Sequence, residues 1–161
     1  MDWIRATKGK IDVPITEYVS NLINTEIEKG NKHKLKVCVG TDSQEKGKAF
    51  KFATVILLVI EGNGAMIMGK TEKDKNYHMT INERMLKEVN KSMNVAKDLC
   101  SVLDENDIPI EIHADINDDP SYLSNGAFKQ AIGYIRGMGY EYKTKPEAFA
   151  ASKGADRLAK T

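Results

Sequence analysis

Residues Leu35 to Gln44 carry the period-2 alternation of a β-strand, and the pattern runs out on an acid. Leu35, Val37, Val39 and Thr41 fall on one face of that strand, and Cys38, Gly40 and Asp42 on the other. Neither face is polar enough to be left in water, so a carboxylate closes a strand that must be buried on both sides. Gly40, two residues before Asp42 on the same face, has no side chain and leaves room for an ion or a close-approaching backbone. What the rest of the chain folds into is constrained by what can surround Asp42.

A chain of 161 residues is the size of one ordinary domain with a real core, and we expect a single domain over residues 1–161, with 1–31 as a helical extension packed on it. Its 24 basic and 23 acidic residues leave a net charge of +1, so any affinity for nucleic acid must come from local clusters rather than overall charge. Cys38 and Cys100 sit singly on apolar patterns without CxxC spacing and read as reduced core thiols, which suggests the cytoplasm. No apolar run approaches the roughly 20 residues of a membrane span, and Met1 to Val13 lacks the apolar core of a signal peptide. The expectation is a cytoplasmic protein without a membrane partner.

Along the chain, Pro14 to Lys29 reads as a helix whose stripe is Ile15, Val19, Leu22, Ile23 and Ile27, stopped by Gly30. The opening strand is followed by strands over Phe50 to Ile60 and Ala65 to Thr71, joined by the turn Glu61-Gly62-Asn63-Gly64. Thr80, with Glu83 at capping-box spacing, opens a long helix to Asn106. A strand over Ile108 to Ile116 places Glu111, His113 and Asp115 together on one face. A helix over Ser121 to Arg136, a short strand over Tyr140 to Thr144, and a last helix over Pro146 to Lys160 complete the chain. Strands on either side of a helix are parallel with right-handed connections. The expected fold is therefore α/β: a mixed five-stranded sheet, three antiparallel strands then two parallel, with helices on both faces. Asp42 and Asp115 then end neighbouring parallel strands, where ligand sites of open α/β sheets lie.

Two helices can add acids to that end. At about 100° per residue, Ile81, Met85, Val89, Ser92, Ala96, Leu99 and Leu103 form the inward stripe of the long helix, and Glu88 falls inside it. A carboxylate there needs a partner or a metal; the alternative is a stripe-edge Glu paired with a lysine. Glu83 points away and is explained by capping. In the last helix Asp156 borders a face of small residues, Ala148, Ala151, Ser152, Ala155 and Ala159, that allows close approach to the sheet. An exposed Asp beside Arg157 is the other reading. Asp42, Glu88, Asp115 and Asp156 would repel one another without a cation, and an all-oxygen set suits Mg²⁺ or Mn²⁺ over Zn²⁺. His33, His78 and His113 have no paired metal spacing.

Acids in that order resemble the RNase H-like superfamily, and more closely its YkuK-type family. The resemblance is carried by Gly40-Thr41-Asp42-Ser43-Gln44, Arg84 with Glu88, His113-Ala114-Asp115, and Lys145-Pro146 through Ala150-Ala151-Ser152 to Ala155-Asp156, and spans nearly all of the chain from Lys34. It implies that Asp42, Glu88, Asp115 and Asp156 are catalytic metal ligands for two Mg²⁺ or Mn²⁺ ions. Hydrolysis of a phosphodiester would leave a 5′-phosphate and a 3′-hydroxyl. The implied substrate is RNA, an RNA–DNA hybrid or structured DNA, held through Lys145, Ser152 and Lys153 and then Lys46, Lys48 and Lys51. Two departures from the pattern stand out. Thr80 to Met85 resembles the stretch before the catalytic Glu of cellular RNases H, yet Leu86 stands at the position of that Glu. No histidine lies between Asp115 and Asp156. A nucleic-acid-binding module of the same fold with little turnover is the alternative.

Overall fold

Alternating apolar residues and turn glycines build most of the sheet locally. In the computed structural model, residues 2–5, 9–75, 78–116, 125–144, 147–148 and 150 are described, the side chains of 125–127 excepted. The elements are β1 (Ile4–Arg5), α1 (Ile15–Glu28), β2 (Leu35–Lys46), β3 (Ala49–Ile60), β4 (Gly64–Asp74), α2 (Ile81–Glu105), β5 (Ile110–Ala114), α3 (Asn125–Gly137) and β6 (Glu141–Lys143). Gly47, at φ 63°, turns β2 into β3, and Gly62 and Gly64, at φ 82° and 87°, turn β3 into β4, a conformation that costs a residue with a Cβ.

The sheet order is β1-β4-β3-β2-β5-β6. β2, β3 and β4 form the expected antiparallel meander, while β5 runs parallel to β2 and β6 parallel to β5. The expected count of five strands is corrected to six, because Ile4 and Arg5 pair antiparallel with Gly69 and Met68 of β4. Two residues carry no alternation to read, so this edge strand is defined by its neighbour rather than by its own pattern.

The three described α-helices share one face of the sheet. Val19 and Ile23 of α1, Val89, Met93, Ala96 and Leu99 of α2, and Ala131 and Ile135 of α3 form one core with Val37, Val39, Ile56, Leu58 and Ile112. The capping box of α2 is complete, Glu83 N donating to Thr80 Oγ1 at 3.1 Å and Thr80 N to a Glu83 carboxylate oxygen at 3.0 Å, which fixes the phase with which the helix meets the sheet. Within that interface three hydroxyls satisfy one another, Thr41 lying 3.1 Å from Thr54 and 2.7 Å from Ser92.

The opposite face carries Cys38, Ala53, Val55 and Leu57, packed against Ala150. Of the expected helix from Pro146 to Lys160, only Glu147, Ala148 and Ala150 are among the described residues. Ala150 N donates to His113 Nδ1 at 3.1 Å, tying this segment to β5.

Leu99 is fully buried whereas Ile81, expected on the same inward stripe, is 43 % exposed, because it is the first residue of the helix. Leu99→Ala should cost about 2–5 kcal/mol in urea unfolding, and Ile81→Ala no more than about 0.5 kcal/mol. Equal losses would contradict this gradient of burial along α2.

Candidate metal centre

Register brings Asp42 and Asp115 together. The last pair between β2 and β5 is Thr41–Ala114, so Asp42 and Asp115 follow side by side where the parallel pairing stops. The expectation that Asp42 ends its strand is corrected, because β2 runs on to Lys46 as half of a hairpin with β3, Asp42 pairing with Ala53. Asp42 is 6 % exposed and Asp115 half-buried. Both fall on the face of Cys38 and His113, away from α2. Gly40 lies between Val55 and His113 in the sheet.

Glu88 reaches the same end from the other face. It lies on the inward stripe of α2 at 3 % exposure, and its partner is not a lysine: Ser43 Oγ donates to Glu88 Oε1 at 2.5 Å. Alternation makes Ser43, not Asp42, the β2 residue that faces α2. The carboxylates thus approach one another from the two faces of the sheet, near enough for the charges of Asp42 and Asp115 to act on Glu88. Burial pushes the Glu88 carboxyl well above its usual value, the Ser43 hydrogen bond opposes this, and the charges of Asp42 and Asp115 push it further up while Arg84 draws it down. A buried group in this state keeps a proton or takes a cation.

Asp156, Ser152, Lys153 and Lys145 lie outside the described residues. Lys46 and Lys48 are exposed around the β2–β3 turn, which projects beyond the acids. At roughly 3.3 Å per residue, Lys46 is about 13 Å past Asp42 along the strand. Glu83 is exposed and engaged in its cap. Ser43 and the Thr41–Ser92 pair were within reach of the sequence, since period 2 assigns Thr41 and Ser43 to the face that an inward Ser92 and Glu88 must meet.

Among the described residues it is another group, Cys38, Glu111 and His113, whose donor atoms all lie within 4.8 Å of one another, which those of Asp42, Glu88 and Asp115 do not. Its hydrogen bonding argues against an ion. Because His113 Nδ1 accepts from Ala150 N, the neutral ring carries its proton on Nε2, which is 3.2 Å from Glu111 Oε2 and donates to it. A metal on Nε2 would force a proton onto Nδ1, against the Ala150 N–H. Lys36 Nζ also lies 3.4 Å from Glu111 Oε1. Burial works to raise the Glu111 carboxyl, but His113 and Lys36 together hold it below its usual range. Burial pushes the Cys38 thiol up to about 12. This is a satisfied structural network, whereas Asp42, Glu88 and Asp115 offer only oxygen donors, the donor chemistry that Mg²⁺ and Mn²⁺ take.

A family model described as Ribonuclease H-like matches residues 18–160. The chain belongs to the ribonuclease H-like family. A search of curated proteins finds no match to it. The family match takes in most of α1, every later element, and each of the candidate acids from Asp42 to Asp156. No helix among the described residues is long and apolar enough to cross a membrane.

The protonated state of Glu88 gives a signed prediction. Its folded pKa is raised from 4.5, so the folded state keeps a proton that the unfolded chain releases. The stability contributed by this group is complete below that value and is lost as pH rises towards the folded pKa. In EDTA, Glu88→Gln should melt higher than wild type at about pH 8, with the difference closing towards about pH 4. Mn²⁺ should raise the melting temperature of wild type at the higher pH and that of the variant less. Parallel melting curves for the two proteins, with and without Mn²⁺, would contradict this description of the site.

Proposed function

We propose that this member of the ribonuclease H-like family is a divalent-metal-dependent nuclease that hydrolyses phosphodiester bonds. The observation that carries the reading is the deeply buried Glu88, crowded by the charges of Asp42 and Asp115 where the parallel pairing of β2 and β5 stops. Structural stability alone gives no reason to gather acids there, since each raises the cost of ionising the next.

In this reading Asp42, Glu88, Asp115 and Asp156 would hold two Mg²⁺ or Mn²⁺ ions. Bound there, the ions would supply Lewis-acid activation of water and stabilisation of the leaving oxygen of a phosphodiester. The chain's own residues prepare the site. Ser43 orients the Glu88 carboxylate, the Thr41–Ser92 contact fixes α2 against β2 one turn further along, and the α2 interface excludes bulk water from one side. Lys46 and Lys48 on the projecting turn, with Lys145, Ser152 and Lys153, would hold the phosphates of RNA, an RNA–DNA hybrid or structured DNA. Within the family, the motifs around Asp42, Asp115 and Asp156 lead us to assign the chain to the YkuK-type group, and its reduced thiols suit a cytoplasmic setting.

One observation favours the second reading, a nucleic-acid-binding module with little turnover: Leu86 stands where cellular RNases H carry the catalytic Glu. An assay with end-labelled RNA, RNA–DNA hybrid and branched DNA decides between them. We expect cleavage in Mg²⁺ or Mn²⁺ and none in EDTA. Asp42→Asn should slow it at least about a hundredfold, as the loss of several kcal/mol of metal-supplied stabilisation would. Binding without cleavage supports the module, and cleavage untouched by Asp42→Asn removes these acids from the chemistry.

A further inference from the structure

Three cations project from one side of α2, Arg84, Lys87 and Lys91, and lie over two aromatic rings of β3. Lys87 and Lys91 sit 5.8 and 5.1 Å from the Phe52 ring centroid, and Arg84 sits 5.2 Å from that of Phe50. The two lysines are neutralised by β4: Lys87 pairs with Asp74, and Lys91 with Glu72 at 3.1 Å. Arg84 has no such counter-ion among the described residues. Its Nε is buried and, among the described residues, meets no hydrogen-bond acceptor. It lies one helical turn before Glu88, close enough for its charge to be felt there.

A guanidinium laid against a ring keeps its plane and directs its N–H groups outward in a fixed fork, the arrangement that matches a phosphate. The position matters as much as the shape. A gathering of carboxylates repels an incoming phosphodiester, so a strand that lies across them needs a fixed positive charge beside them. A guanidinium supplies such a charge.

We propose that Arg84 is the phosphate-binding residue of this site, its Phe50-backed guanidinium receiving a backbone phosphate of the nucleic-acid strand next to the acids. The inference rests on the nucleic-acid reading above and adds a specific residue to it. It also explains a contrast within one helix. Lys87 and Lys91 hold α2 to β4 through their carboxylates, whereas Arg84 at the acid end is left to bind from outside.

The test is fluorescence anisotropy with short fluorescein-labelled single-stranded RNA and RNA–DNA hybrid, in Ca²⁺ to suppress turnover, over a series of salt concentrations. Wild type, Arg84→Ala and Arg84→Lys are compared, and Mn²⁺ binding by calorimetry is measured on each. Loss of a charge-assisted contact should weaken binding about ten- to a hundredfold in Arg84→Ala. The slope of log affinity against log salt should become shallower by about 0.7 on the single strand. Arg84→Lys, which keeps the charge and the packing, should retain the slope and lose affinity through the missing fork. Mn²⁺ affinity should be little changed in either, which a collapse of the site would not allow. Wild-type affinity and slope in both variants would overturn the role of Arg84 while leaving the nucleic-acid reading standing. Absence of oligonucleotide binding by the wild type would overturn both.

Discussion

The carboxyl of Glu88, enclosed between α2 and β2 on the hydroxyl of Ser43, is the contact on which the arrangement of the rest depends. A buried carboxylate with two further acids nearby is unfavourable on its own, so the elements around it must be stable enough to hold it. The 25-residue helix α2 supplies that stability through its apolar stripe and its complete capping box, and β2 supplies it as a central strand paired on both sides. Between the two, the Thr54–Thr41–Ser92 hydroxyls occupy buried polar positions without leaving one another unsatisfied. The packing that stabilises the domain is the same packing that confines the acid.

The two faces of the sheet divide the work. The helix-bearing face holds the main core and delivers Glu88 and Ser43 to the end of the parallel pairing. The other carries Cys38, Glu111 and His113 in a closed network that grips the backbone at Ala150, and Asp42 and Asp115 continue the same rows of side chains outward. Each row thus changes character along its length. It is apolar or internally paired where buried under neighbouring segments, and acidic where the pairing of β2 with β5 stops.

Most of this architecture was legible in the sequence because it rests on local periodicity. The alternation in β2 assigned Asp42 to one face, the 3.6-residue stripe of α2 turned Glu88 inward, and the helix between parallel strands set Asp115 beside Asp42. The limits have physical causes. Strand β1 is two residues long and gains its partner from β4, so no pattern within it announces a strand. Ser43 was present in the motif, but its hydrogen bond to Glu88 depends on how closely α2 approaches β2. The state of Arg84 was beyond local reading, because the difference from Lys87 and Lys91 arises from where Glu72 and Asp74 fall on β4 in register with Phe52 and Phe50. The parts assigned to Asp156, Lys145, Ser152 and Lys153 rest on sequence alone.

The central claim is that Asp42 of β2 and Asp115 just past β5, with Glu88, form a divalent-cation centre. Anomalous diffraction from crystals soaked in Mn²⁺ measures this directly. We predict a Mn²⁺ ion coordinated by Asp42 together with Glu88 or Asp115, and a second ion sharing Asp42 when a nucleic-acid strand is bound. Anomalous density that leaves Asp42 and Glu88 without an ion at saturating Mn²⁺ would contradict it.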